Sequence, residues 1–357
     1  MSDSSMLEPG HPDGKTNWES PGAHRVTDKV YRIPLPLPIH GLRAVNVYAI
    51  VNGKTLVVID SGMALVESER ALETALGEIG YELGDVREFL VTHIHGDHFE
   101  QAIAMRSRFG SRVTLGEGER ANLSYLADSS HNLRANDFAY MTYLGAKKVV
   151  AQLDLEGYAP HAKAEFYQEP DTWALDNSVI EIGEVTLTAI NTPGHTRGHM
   201  VYFDPSAHLM FTGDHLLTQI TPSIGFEPDR DKWALRSFLT SLRLLRQLPD
   251  VQILPAHGPV GESTHTRAFE LILHHESRLE AIYSRVSEGA ETAFDVAAEL
   301  TWTRKERRFS DLDGFNQMLA VAEVQQHLYL LVDRGLLVSS DQSGISQFAA
   351  ERSAESV

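Results

Sequence analysis

Val91-Thr92-His93-Ile94-His95-Gly96-Asp97-His98 carries the densest chemistry in this chain. His93, His95, Asp97 and His98 put three imidazoles and one carboxylate within six positions. Those are the ligand types that hold zinc and related divalent ions. A lone histidine is more often an ordinary core or surface residue, but four ligand types at H-x-H-x-D-H spacing are poorly explained that way. The 357 residues contain no cysteine, which excludes a disulfide framework, a thiolate ligand and a thiol nucleophile. Further candidate ligands recur downstream. His195 lies in Thr192-Pro193-Gly194-His195-Thr196-Arg197-Gly198-His199, Asp214 in Thr212-Gly213-Asp214-His215, and His257 in Pro255-Ala256-His257-Gly258.

The surrounding pattern says what positions these residues. Val86 to Val91 reads as a buried strand and Phe99 to Met105 as the start of a helix, so the cluster falls on a strand-to-helix turn. Val30–Pro38 reads as a proline-bearing edge strand. Val45–Val51 and Thr55–Asp60 read as strands joined by an Asn52-Gly53 turn, with a helix over 66–79. Asp60 closes its strand before Ser61-Gly62. There it is either an acceptor that orients a ligand imidazole or a simple turn aspartate. Strand patterns return at 178–182, 185–190, 200–203, 209–211 and 251–255, with an amphipathic helix over 232–248 that shows Leu235, Phe238, Leu239, Leu242 and Leu245 on one face. Every candidate ligand then sits at a strand end, the usual place for sites in α/β proteins. Residues 106–168 read as a short strand at Val113-Thr114-Leu115 and a helical, aromatic-bearing insertion beyond it, either a substrate cap or a structural element. From about Glu262 the pattern becomes three helices and a two-strand hairpin, the elements of a winged helix.

Composition bounds the rest. The length suits two domains, divided as a tail over 1–28, a catalytic unit over 29–261 and a winged-helix-like unit over 262–350. The formal charge of -18 argues against a nucleic-acid groove as the main feature, because phosphate binding needs local positive charge. The cluster Arg304-Lys305-Glu306-Arg307-Arg308 is the local exception. No apolar run reaches the roughly 18 residues that span a membrane, and the first 28 residues hold no secretory-type apolar core. A cytoplasmic chain without membrane contact is expected, and the apolar faces of the tail leave a homodimer open.

Taken together, these motifs resemble the metallo-β-lactamase superfamily. They are His93-Ile94-His95-Gly96-Asp97-His98, Thr192 to His199, Thr212-Gly213-Asp214, Pro255 to Gly258 and the earlier Ile59-Asp60-Ser61-Gly62. The tail is similar to the extension of the lactamase-β-like 2 group. The resemblance implies a four-layer αβ/βα sandwich with a small C-terminal winged-helix domain. It implies that His93, His95 and His195 hold one metal, that Asp97, His98 and His257 hold a second, and that Asp214 bridges them. Two divalent ions follow, zinc first, with iron or manganese as alternatives. Such ions about 3.5–4 Å apart lower the pKa of a shared water towards 7, and the resulting hydroxide attacks a carbonyl. Asp97 and Asp214 are then the catalytic carboxylates, with Asp60 and His199 supporting the ligands. A small acyl compound, above all a thioester, is the expected substrate. An endoribonuclease or phosphodiesterase, a lactonase and an iron redox enzyme of the same fold are the alternatives.

Overall fold

A computed structural model describes residues 18–39, 42–160 and 162–351. Two mixed β-sheets form the centre. The first runs in chain order through β1 (His24–Arg25), β2 (Val30–Ile39), β3 (Leu42–Asn52), β4 (Thr55–Ile59), β5 (Val86–Leu90), β6 (Arg112–Gly116) and β7 (Thr172–Ala174). The second contains β8 (Ser178–Ile182), β9 (Val185–Asn191), β10 (Met200–Asp204), β11 (Leu209–Gly213) and β12 (Gln252–Pro255), with β12 at one edge and β8 at the other.

The period-two alternation of β3 explains the layering. Val45, Val47 and Ala49 point to one side, where they join Leu72 and Leu76 of α1 (Val66–Glu78) and Phe99 and Ile103 of α2 (Gly96–Phe109). Tyr48 and Ile50 point the other way, into a core between the sheets with Tyr202, Phe211 and Leu254. The outer face of the second sheet carries Val201, Met210 and Ile253. It is covered by α6 (Ala234–Leu245), whose Leu235, Phe238, Leu239, Leu242 and Leu245 are all buried, as their spacing predicts. The order is therefore helices, sheet, sheet, helices. Each such large side chain contributes roughly 1.5–3 kcal/mol on full burial.

The helical stretch after β6 comprises α3 (Arg120–Ala127), α4 (Leu133–Tyr143) and α5 (Lys147–Leu155). The C-terminal region comprises α7 (Thr264–Ser287), α8 (Ala293–Glu299), a short pair β13 (Thr301–Trp302) and β14 (Arg307–Arg308), α9 (Gly314–Asp333), and the hairpin β15 (Leu337–Gln342) and β16 (Ile345–Ala350). Leu271, Leu279, Val321 and Leu328 of this region share one continuous core with α6 and the second sheet.

Three sequence expectations shift. The expected tail over 1–28 is part of the fold from Trp18 onward, because β1 pairs with β2 and the Arg32 guanidinium donates to the Trp18 carbonyl at 2.6 Å. Residues 1–17 lie outside the described residues. The insertion drawn over 106–168 is too wide: Arg106–Phe109 completes α2, and the strand read at Val113–Leu115 is present as Arg112–Gly116, paired with β5 and β7. The helix after the His cluster begins at Gly96, not Phe99, which brings Asp97 and His98 into its first turn. A carboxylate there is favoured by the positive end of the helix dipole.

Candidate metal centre

Strand direction brings the ligands to one edge. Strands β4 and β5 are parallel, so Asp60 and the His93 cluster leave the first sheet on the same side. Strands β11 and β12 are parallel as well, which sets Asp214 beside His257. The two edges are stapled together. Tyr48 Oη donates to the Pro255 carbonyl at 2.7 Å, Tyr202 Oη to the Val91 carbonyl at 2.9 Å, and the Asn46 amide to the Ala256 carbonyl at 2.7 Å. Backbones also meet closely here: a Cβ on Gly198 would stand 2.2 Å from the Glu119 nitrogen. Gly213, at φ 48°, turns the chain into Asp214 where a Cβ would press on Thr92 and His199.

All seven expected ligands converge. His93 Nε2 lies 3.0 Å and His195 Nε2 3.1 Å from His95 Nδ1. On the other side, His257 Nε2 is 3.3 Å and His98 Nε2 3.5 Å from Asp97 Oδ2. Asp214 faces both groups, with Oδ2 3.4 Å from His195 Nε2 and Oδ1 3.5 Å from His257 Nε2.

The inward atoms fit a cation. His98 Nε2, His257 Nε2 and Asp214 Oδ1 are buried without a hydrogen-bond partner, a costly state unless a ligand completes it. Their outer nitrogens are already committed. His98 Nδ1 meets Asp60 Oδ2 at 2.9 Å, His195 Nδ1 the Ser223 carbonyl at 2.7 Å, and His257 Nδ1 the Ala44 carbonyl at 2.9 Å. Each contact fixes the ring with Nε2 turned to the centre, the arrangement that orients metal-ligating imidazoles.

Burial lowers the pKa of His93 strongly and brings His95 down to about 3, with neighbouring imidazoles adding to the effect. Both are therefore neutral and able to ligate. Burial alone would raise the Asp97 carboxyl, but His98 and His257 outweigh it and hold it well below the usual range. Burial would also lower His98, yet the charges of Asp97, Asp60 and Asp214 hold it well above its ordinary value.

Asp60 is placed as an acceptor on the outer side of the His98 ring. It also accepts from the Thr92 amide at 2.7 Å and from the Thr92 hydroxyl, and it stands at φ 59°. Aspartate tolerates that left-handed geometry better than most residues, and such strain clusters at functional sites. His199 is not aimed at the centre: its Nε2 accepts from the Asp214 amide at 3.2 Å and its Nδ1 meets Thr192 Oγ1 at 2.9 Å. His215 is buried against Phe238, and burial takes it down to about 3. His274 is exposed, whereas His275 is buried against His327 and Phe238.

Several contributors gave no sequence signal. Glu119 and Glu227 both accept from Asn122 Nδ2, at 3.0 and 2.8 Å, behind the His195 turn. Glu119 also accepts from the Thr196 hydroxyl and Glu227 from the Arg197 amide. Glu100 is buried beside Asp97, and burial pushes its carboxyl up to about 7. Of the seven converging side chains, His95, Asp97, His195, Asp214 and His257 line a cavity of about 440 Å³ with largely apolar walls. Met63 and Ile94 come from the core, Leu133 and Tyr158 from the stretch after β6, Phe226 from the loop after Asp214, and Leu319 from α9.

The family model described as "Metallo-beta-lactamase superfamily" matches residues 40–257, and the chain belongs to that family. The probable metallo-hydrolase YqjP of Bacillus subtilis (strain 168) is 26% identical over 285 residues, which cover 77% of this chain and 85% of that one. An atrochrysone carboxyl ACP thioesterase of Aspergillus fumigatus is 23% identical over 223 residues, covering 62% of this chain and 39% of that protein. The crystal structure of metallo-β-lactamase family protein TTHA1429 from Thermus thermophilus superposes with a TM-score of 0.75 at 24% identity. The match covers 92% of this chain and 100% of that one, so the shared fold extends into the C-terminal helices. Family membership supports a metal-dependent hydrolase. Among the described residues, no helix is long and apolar enough to cross a membrane.

Proposed function

We propose that this chain is a dinuclear metal-dependent hydrolase of thioesters or other small acyl compounds. The observation that carries this reading is the double ligand set at the floor of an apolar cavity, with Asp214 facing both halves. When bound there, two divalent ions lower the pKa of a water and polarise a carbonyl oxygen. Zinc suits the imidazole and carboxylate donors, with iron or manganese as alternatives.

The chain's own residues do the remaining work. Asp97 is held ionised, so it orients the attacking water and accepts its proton. Asp60 keeps the His98 ring in place, and His199 holds the backbone of Asp214. The cavity walls shield the reacting carbonyl from bulk water and favour an apolar acyl group. A thiolate leaves without a general acid, which makes a thioester the least demanding substrate; the Aspergillus relative's name agrees. In this reading residues 117–168 act as a substrate cap, and the C-terminal helices and hairpin form a winged helix that completes the cavity wall. A phosphodiesterase acting on RNA is the second reading, favoured by the exposed cations Arg304 to Arg308.

The test is elemental analysis after zinc reconstitution, followed by a panel of thioesters, lactones and phosphodiesters. We expect two metals per chain, thioester turnover, and loss of turnover on chelation. Less than one metal per chain would sink the dinuclear reading. RNA cleavage without acyl turnover would replace the substrate class.

A further inference from the structure

We infer that the hairpin carrying Arg304, Lys305, Arg307 and Arg308 binds the phosphate-bearing end of the thiol carrier from which the acyl group is cleaved. This rests on the thioester reading above. In a chain of formal charge -18, these five positions hold four cations, with Glu306 the only acid among them. All five are exposed. Elsewhere on this surface many arginines are paired with carboxylates, as in Arg134–Asp154, Arg285–Glu288 and Arg334–Glu276, and those that are not, such as Arg70 and Arg112, stand singly. Among the described residues, none of the four cations has a carboxylate oxygen within ion-pair distance; Arg307 donates only to the Asp311 carbonyl. Four adjacent cations left unpaired on an acid-rich surface are a site for an anion from outside the chain.

The hairpin presents them from a fixed base. Trp302 is buried, donates from Nε1 to the Ala297 carbonyl at 3.0 Å, and lies under the Arg278 guanidinium at 4.4 Å. Arg278 also donates to the Thr301 carbonyl at 3.1 Å. Thr303 and Glu306, at φ 65° and 50°, shape the tip.

Its position relates it to the metal centre. Arg304 Nη2 reaches the Thr218 carbonyl at 3.5 Å. Leu217 and Ile220, on either side of Thr218, line the cavity, and Ile220 is also 43% exposed to solvent. Ser223 in the same loop holds His195. The five residue-to-residue steps from Thr218 to Ser223 span at most about 18 Å. The cations therefore stand within reach of the extended arm that separates thiol from phosphate in a pantetheine-type carrier. With the acyl group in the apolar cavity, that arm leaves through the mouth. A compact phosphate meets only the local positive patch, whereas a long polyanion must also approach the acidic remainder, less than fully screened within a Debye length of about 8–10 Å.

The test uses the full chain with zinc and one acyl group on three thiols: coenzyme A, 4′-phosphopantetheine and N-acetylcysteamine. The variant replaces Arg304, Lys305, Arg307 and Arg308 by Gln, with circular dichroism as the check on fold. The readout is the ratio of kcat/KM for each phosphate-bearing thioester to that for the N-acetylcysteamine thioester. We expect the variant to lower this ratio by about tenfold, as befits several exposed charge pairs, and rising salt to do the same to the unmodified chain. A fall with coenzyme A alone assigns the contact to its nucleotide phosphates; a fall with both assigns it to the phosphate on the arm. An unchanged ratio overturns the proposal. Binding of free coenzyme A, measured by calorimetry, keeps the two readings separable. If no thioester is cleaved but coenzyme A binds in a salt-sensitive way that the variant abolishes, the site stands and the reaction reading falls. RNA binding lost in the variant, without coenzyme A binding, overturns the site as proposed.

Discussion

Asp97 and Asp60 are both aspartates near His98, but they face opposite sides of it. Asp97 Oδ2 lies among the inward nitrogens, while Asp60 reaches the outer Nδ1. The first is therefore expected to govern turnover and the second affinity for metal. Asp97→Asn keeps size and helix position but loses the charge. We expect kcat at saturating zinc to fall by about 10²–10⁴-fold, the range for losing a positioned proton acceptor, with circular dichroism unchanged. Near-normal turnover in a folded protein would remove Asp97 from the chemistry. Asp60→Asn tolerates the left-handed backbone, so its effect isolates the carboxylate. Competition with a chelator should show zinc affinity lowered by about 10–100-fold. If affinity is unchanged, Asp60 serves only the turn.

At the scale of elements, the His195 turn is held by a buried acid pair. Asn122 of α3 bridges Glu119 and Glu227, and these carboxylates take the Thr196 hydroxyl and the Arg197 amide. Helix α6 supports the same turn, with Ser241 Oγ donating to the Pro193 carbonyl at 2.9 Å. Burial, and then the charge of Glu119, push Glu227 from 4.5 up to about 8. The folded state thus holds a proton that the unfolded state releases above about pH 4.5. Stability from this group is fully present below that pH and is lost as pH rises through about 8. A tenfold difference in proton affinity between the two states corresponds to about 1.4 kcal/mol. Urea titrations from pH 5 to 9 should show this decline in the native sequence and a flatter profile in Glu227→Gln. Equal slopes in the two proteins would mean that Glu227 titrates alike in both states.

For the whole molecule, the C-terminal helices are inseparable from the fourth layer. Val321 and Leu328 of α9 and Leu271 and Leu279 of α7 lie in one core with Phe238 and Leu239 of α6. Ending the chain before Glu262 would expose that face of α6 together with His275's partner Phe238. Large contiguous apolar surfaces are aggregation-prone. We expect the truncated chain to be insoluble or to lose cooperative unfolding, measured by recovery of soluble protein and thermal melting. A soluble, cooperatively melting fragment with both metals would show that the first three layers fold alone.

The sequence by itself determined the candidate donor types and the strand ends that carry them. Steric and hydrogen-bonding preferences act over a few residues, so Asn52-Gly53, the alternation of Val45 to Ile50 and the α6 stripe were readable locally. The extent of the tail and of the helical stretch was not. His24–Arg25 becomes a strand only because β2 offers an edge, and the helical stretch begins only after Gly116 because β5 and β7 hold the whole of Arg112–Gly116 in the sheet. Nor could spacing reveal Ser223, whose backbone carbonyl orients His195 from 28 positions away. The same holds for the acid pair Glu119 and Glu227, joined through Asn122. These contacts are made by chain segments that meet only after the two sheets pack, and a backbone carbonyl looks the same in every residue type. Local chemistry therefore named the donors, while strand direction, sheet packing and the shared core decided which ones face each other.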